Sequence, residues 1–338
     1  MAGDYLWDPR ARPDPEIERL EQRLGRYRFE APASVVALQW EAAARAPRGS
    51  FRLSTVYLVV AASLLCACAG ALWQMRRVDP PGWAIQRIAG LPVIDAAPVR
   101  AEGRLAIGQW LETDRTARAT VRVGEIGLVE LEPRTRVRLL DTSAGNHRLS
   151  LDRGTVHALI WAPPGEFFVE TPSSTAIDLG CAYTLQVDQD GNGTIDVTAG
   201  WVAFEHGSRE SFIPAGARCR TRVGSGPGTP YFAGVPPAFA ANLMLVDFGE
   251  PARRKVALDD VLAQATRRDA ITLWHLLRRV EPGDRSRVFD RLSAFAAPPA
   301  SVTRAGVVAG DRRMLDAWWD ELGLGTTSWW RTWKREWR

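Results

Sequence analysis

The densest run of oxygen-bearing side chains in this sequence of 338 residues is Asp188-Gln189-Asp190-Gly191-Asn192-Gly193-Thr194-Ile195-Asp196. Asp188, Asp190, Asn192 and Asp196 stand at positions 1, 3, 5 and 9 of a calcium loop, with Gly193 at position 6 and Ile195 at position 8. Position 12, where such a loop needs a bidentate Glu, is Ala199. Strand-like segments flank the run rather than helices, and Asp-Gly and Asn-Gly are hairpin dipeptides. A hairpin turn is therefore the expectation, with bound calcium as the alternative.

The remaining chemistry-bearing residues do not converge. His147, His157, His206 and His275 are scattered, and no CxxC or zinc-ligand spacing occurs. There is no Ser/His/Asp, Cys/His, GxGxxG or Walker pattern, and Glu166 and Glu170 form a carboxylate pair only by strand alternation. No catalytic residue, metal or cofactor is expected, and the chain is read as a non-enzyme. Cys181 and Cys219 are a pair that an oxidising compartment would allow to join. Cys181, beside Leu179 and Tyr183, reads most simply as a small buried core residue.

Two aromatic and apolar clusters look built for contact. Trp329, Trp330, Trp333 and Trp337 recur on one helical face, with Arg331, Lys334, Arg335 and Arg338 between them. That mixture suits a membrane interface, packing onto the preceding helices, or a protein partner. Near the other end, Trp7 and the helical stripe Ile17, Leu20, Leu24, Tyr27 sit on a segment that opens with Asp14 as N-cap and Pro15 at the first helical position. With no core of its own, this stripe needs a partner or marks a weakly ordered tail. The net charge is only +4, and Arg and Asp/Glu are interspersed, so no nucleic-acid partner is expected.

Leu53 to Trp73 is a run of 21 residues without a charge, LSTVYLVVAASLLCACAGALW. As a helix it would span ~31 Å, enough for a bilayer core. Arg48, Arg52, Arg76 and Arg77 flank it, and Tyr57 and Trp73 lie near its ends. The leader of 52 residues argues against a cleaved signal or a lipid on Cys68. Organisation follows: an N-terminal helical segment (1–52), a transmembrane helix (53–75), a linker (76–100), a β domain (101–223), a Gly/Pro-rich linker (224–250) and a helical C-terminal region with the Trp-rich tail (251–338). The β domain rests on alternation in Ala119–Val123, Gly127–Glu132 and Arg136–Leu140. Short strands follow between His147 and Glu205, each bounded by turn residues. Helices are expected over Val256–Thr266, Asp269–Val280, Arg285–Ala296 and Asp311–Leu322.

The β segment resembles a FecR domain. The resemblance is carried by Val129-Glu130-Leu131-Glu132-Pro133, Leu149-Ser150-Leu151-Asp152-Arg153-Gly154-Thr155-Val156, Phe167-Phe168-Val169-Glu170-Thr171-Pro172, Asp178-Leu179-Gly180-Cys181 and Gly200-Trp201-Val202-Ala203-Phe204, in that order. It implies a mainly β fold with a twisted β-solenoid domain, joined here to one transmembrane helix and a C-terminal α-helical region. It also implies a single-pass protein of the inner membrane, N-terminus in the cytosol and bulk in the periplasm. The β domain would meet a periplasmic partner, and residues 1–52 would control a sigma factor. The alternative is an anchored scaffold that sends no signal inward.

Overall fold

The computed structural model describes residues 81–323. Eighteen strands come first: β1 (Gly82–Ala89), β2 (Val93–Ile94), β3 (Ala97–Pro98), β4 (Glu102–Ala106), β5 (Trp110–Glu112), β6 (Arg118–Val123), β7 (Gly127–Leu131), β8 (Arg136–Ser143), β9 (Asn146–Ile160), β10 (Phe167–Glu170), β11 (Thr175–Asp178), β12 (Ala182–Val187), β13 (Gly193–Ala199), β14 (Trp201–His206), β15 (Arg209–Pro214), β16 (Ala217–Arg222), β17 (Gly226–Pro227) and β18 (Tyr231–Phe232). Six helices follow: α1 (Pro237–Phe248), α2 (Pro251–Gln264), α3 (Ala270–Leu277), α4 (Pro282–Phe295), α5 (Arg304–Ala309) and α6 (Arg312–Glu321). All of them fall within one compact unit, Leu72–Arg338.

The strands form one sheet folded back on itself, and β9 is the fold line. Its first half pairs with β8 (Val137↔Leu151) and β10 (Val169↔Leu149); its second half pairs with β7 (Val129↔Ala158) and β12 (Leu185↔Val156). Between the halves stands Gly154 at φ +100°, where a Cβ would run into the backbone of Thr135. Only glycine allows both the backbone conformation and that approach. One layer therefore runs β4-β1-β6-β7-β9-β12-β13-β16, and the other runs β2-β5-β8-β9-β10-β11-β14-β15. Val121, Val129, Leu131, Leu139, Leu149, Val156, Phe167, Val169, Leu185 and Ile195 close the space between them. Alternation buries every second residue, as in β6, where Ala119, Val121 and Val123 point inward.

The expected twisted β-solenoid is not what forms. In a solenoid, successive coils stack as parallel ladders. Among the described residues every strand pairing is antiparallel except β9 with β10. The connections explain this: β6–β7, β8–β9, β12–β13 and β14–β15 are joined by tight turns, and a tight turn can only return the chain antiparallel. The transmembrane helix expected at 53–75 lies outside the described residues. Among the described residues no helix is long and apolar enough to cross a membrane.

Two expected linkers also carry structure. Of the segment 76–100, residues 82–98 hold β1–β3, with Trp83 and Ile85 buried in the core. Within 224–250, the run from Pro237 is helix α1, which buries Phe239, Leu243 and Asp247 on one face. Its composition is apolar nearly all round, so no 3.6-residue period advertises it. Proline at the first turn starts α1, α2 and α4, since its missing N–H costs nothing there.

The helices cover the outer face of β11, β14 and β15. Ile177, Ala203 and Phe212 of these strands join Phe239, Leu258, Val261, Leu273, Trp274, Leu292 and Trp319 in a second core. Buried on both faces, the strands read as continuous apolar runs, Val202-Ala203-Phe204 and Phe212-Ile213, rather than alternating ones.

Candidate functional site

The Asp188–Asp196 run forms the β12–β13 connection. Asp188 Oδ1 accepts from the backbone amides of Asp190 and Asn192, both at 2.9 Å, and the Asp188 amide donates to the Asn192 carbonyl at 2.9 Å. This is a side-chain-closed turn. Asp196 lies well into β13 and pairs bidentately with Arg218 on β16, at 2.7 and 3.1 Å. Three of the four oxygen-bearing side chains are thus spent locally: Asp188 closes the turn, Asp196 pairs with Arg218, and Asn192 donates to Asp188 at 3.3 Å. Among the described residues no cluster of three His, Cys, Asp or Glu could hold a metal ion.

Cys181 and Cys219 are both free and buried. Each thiol has its own acceptor: Cys181 Sγ donates to Asp178 Oδ2 at 2.6 Å, and Cys219 Sγ to the Gly228 carbonyl at 3.2 Å. Burial pushes both thiols up, Cys219 to about 12, so neither is a nucleophile at neutral pH. The expected possibility of a Cys181–Cys219 disulfide is therefore not realised.

Asp178 is the chemically unusual residue of this corner. It ends β11 fully buried and accepts from the Cys181 thiol and, at 2.7 Å, from the Gly180 amide. Burial drives its carboxyl up to about 7, and the two donors offset this only in part. Tyr183, packed nearby, has a buried hydroxyl without a hydrogen-bond partner, and burial followed by the Asp178 charge pushes it well up. The sequence offered Asp178 only as a motif position; nothing in its spacing told of its burial.

The helix–sheet junction holds the other polar groups that the sequence did not single out. Arg279, at the end of α3, donates to Thr229 Oγ1 (2.7 Å), Ser211 Oγ (2.6 Å) and the Glu210 carbonyl (2.9 Å). Asp247 of α1 accepts from the Thr229 amide (2.6 Å) and hydroxyl (2.9 Å) and from Arg209 (3.0 Å). Burial, outweighing the Asp247 charge, lowers Arg279 to about 10. His275 is no ligand: its Nε2 accepts from the Phe212 amide at 3.0 Å, and its Nδ1 lies 2.8 Å from the Ile271 carbonyl. Trp319 stacks among Trp274 (4.6 Å between centroids), Phe212 (5.7 Å) and Trp201 (5.8 Å). On the opposite layer, Leu159 and Trp161 of the β9 end stand more than half exposed. The contact residues expected at Trp7, Ile17, Leu20 and Leu24, and at Trp329, Trp330, Trp333 and Trp337, lie outside the described residues.

The described residues form a two-layer β domain with helices packed on one outer face. Residues 109–203 match the family described as FecR protein; the chain carries a FecR-like domain, as the motifs in 129–204 implied. Two crystal structures of a candidate anti-sigma factor from Parabacteroides distasonis ATCC 8503, at 1.65 and 2.50 Å, are similar to this chain at 14% identity with TM-scores of 0.32 and 0.33. The likeness covers 36% of this chain and 59% of theirs, under two thirds of their length. No curated protein matches the chain.

Proposed function

We propose that this chain is a FecR-like regulatory protein of the cell envelope that works by binding proteins and not by catalysis. The observation that carries the reading is the match of residues 109–203 to the FecR family. In this reading the uncharged run 53–73 anchors the chain in the inner membrane, with the N-terminus in the cytosol and residues 81–323 in the periplasm. The β domain meets an envelope partner there, and residues 1–52, through Ile17, Leu20 and Leu24, hold or release a sigma factor. Such coupling requires that the outer partner bind two states of the chain with different affinity.

The test is affinity capture with the full chain and with a Leu20→Asp/Leu24→Asp variant. The expected outcome is a sigma factor retained by the first and lost from the second. Retention of no sigma factor by either overturns inward signalling and leaves an anchored scaffold. Protease accessibility in intact spheroplasts checks the orientation: cleavage of residues 81–323 from outside is expected, and full protection would refute it.

A further inference from the structure

Five arginines line one cavity of about 270 Å³ beside the helix–sheet junction: Arg209, Arg278, Arg279, Arg285 and Arg312. They come from β15, the end of α3, α4 and the first turn of α6, so no stretch of sequence announces them. The carboxylates that answer them are too few. Asp247 lies 3.0 Å from Arg209 and 3.7 Å from Arg279, and Glu210 lies 3.8 Å from Arg278. Among the described residues neither Arg285 nor Arg312 meets a carboxylate. Arg285 donates through Nη1 to the Val308 carbonyl at 3.2 Å. The Nε groups of Arg209 and Arg285 are buried behind the cavity without a hydrogen-bond partner among the described residues. Unpaired buried donors are costly, and among the described residues Arg285 and Arg312 bring cationic charge to the cavity that no carboxylate answers. The Leu277 and Leu315 side chains are the main apolar walls, which leaves little room for an apolar ligand.

We propose that this cavity is a binding site for a phosphate group, as the free ion or as a small phosphate monoester. Guanidinium forks match the oxygens of phosphate bidentately, and a dianion answers the excess charge better than a single carboxylate does. The bound group would bridge β15 to α3, α4 and α6 and so tighten the helices on the sheet. The site is independent of the sigma-factor reading.

The experiment is a thermal melt and a calorimetric titration of the full chain with inorganic phosphate, glycerol 3-phosphate and acetate, each against chloride at matched ionic strength. Phosphate is expected to raise the Tm by several degrees, and acetate to bind at least tenfold more weakly. Preference for glycerol 3-phosphate over the free ion identifies a monoester as the source; the reverse identifies the ion. Arg312→Gln, whose side chain meets no carboxylate among the described residues, and the Arg285→Gln/Arg312→Gln pair are expected to weaken phosphate binding at least tenfold. If phosphate acts no differently from acetate or chloride, or binds the folded Arg312→Gln variant and the pair as tightly as the parent, the proposal falls.

Discussion

The two faces of the folded sheet are buried by different means. The inner face, between the layers, is closed mainly by Val, Leu, Ile and Phe placed by simple alternation, with the Asp178 carboxyl buried at one corner beside Cys181 and Tyr183. The outer face of β11, β14 and β15 is closed by helices through Trp201, Trp274, Trp319 and His275, and it is rimmed by the Arg279–Asp247–Thr229 network. The inner core needs only shape and apolarity, which any strand of suitable residues supplies. The outer one depends on directional partners, since each buried donor or charge must find its acceptor. A polar junction fixes one docking geometry for the helices, whereas the group that pH alters most, Asp178, sits at a corner of the inner face.

The largest effect is expected where that junction is thickest. Trp319→Ala should cost about 4 kcal/mol, since the ring packs against Trp201, Phe212, Trp274 and His275 and little can collapse into its place. If junction and inner core unfold together, intrinsic fluorescence and far-ultraviolet circular dichroism will report one shared denaturation midpoint, lowered as it would be by Leu131→Ala on the inner side. Two separate transitions would break the picture of one unit.

Asp178 sharpens the comparison through pH. Its carboxyl is raised to about 7 in the folded chain, so the folded state holds the proton more tightly than the unfolded one. Its contribution is fully present below the unfolded value near 4 and is lost as pH rises through 7. Between about pH 5 and 8 the loss should be on the order of 3 kcal/mol. Denaturant midpoints at the two pH values, parent against Asp178→Asn, check it: the variant should be flatter, and an unchanged slope would show that the carboxyl is not perturbed.

Arg279→Met should cost about 2 kcal/mol, because Asp247 keeps Arg209 and Thr229 as partners while Ser211 and the Glu210 carbonyl lose a donor. A stabilised variant would mean that the network is retained for something other than docking. The β12–β13 turn should matter least. Asp188→Ala removes two turn-closing bonds and should cost about 1 kcal/mol, and Asp196→Ala, a half-exposed pair, less than about 1 kcal/mol. Millimolar calcium should leave the Tm in place; a clear rise would restore the calcium-loop alternative.

How much was legible follows the same division. The alternation in Ala119–Val123 and Gly127–Glu132 placed β6 and β7 within a residue or two, and the helical periods at Asp269–Val280 and Arg285–Ala296 placed α3 and α4. The FecR-like motifs were readable because they are local turns and strand ends in fixed order. Helix α1 reads as part of a linker because it is apolar almost all round; β2 and β3 have only two residues each, and β1 buries only Trp83 and Ile85 of its eight, too few alternations to mark a strand. The acidic run around Asp188 was the most visible candidate site in the sequence, and it is a turn whose carboxylates are spent on local backbone and on Arg218.

The sequence by itself determined what depends on neighbours along the chain: strand and helix periods, turn residues, the order of the FecR-like motifs and the uncharged run at 53–73. Only the tertiary structure decided what depends on distance between remote residues. It made the strands an antiparallel sheet folded at Gly154 instead of a solenoid, gave each cysteine its own acceptor, buried Asp178, and gathered arginines from four elements around one cavity. The physical reason is that backbone propensity is set within a few residues, whereas burial, charge balance and convergence are properties of the packed whole.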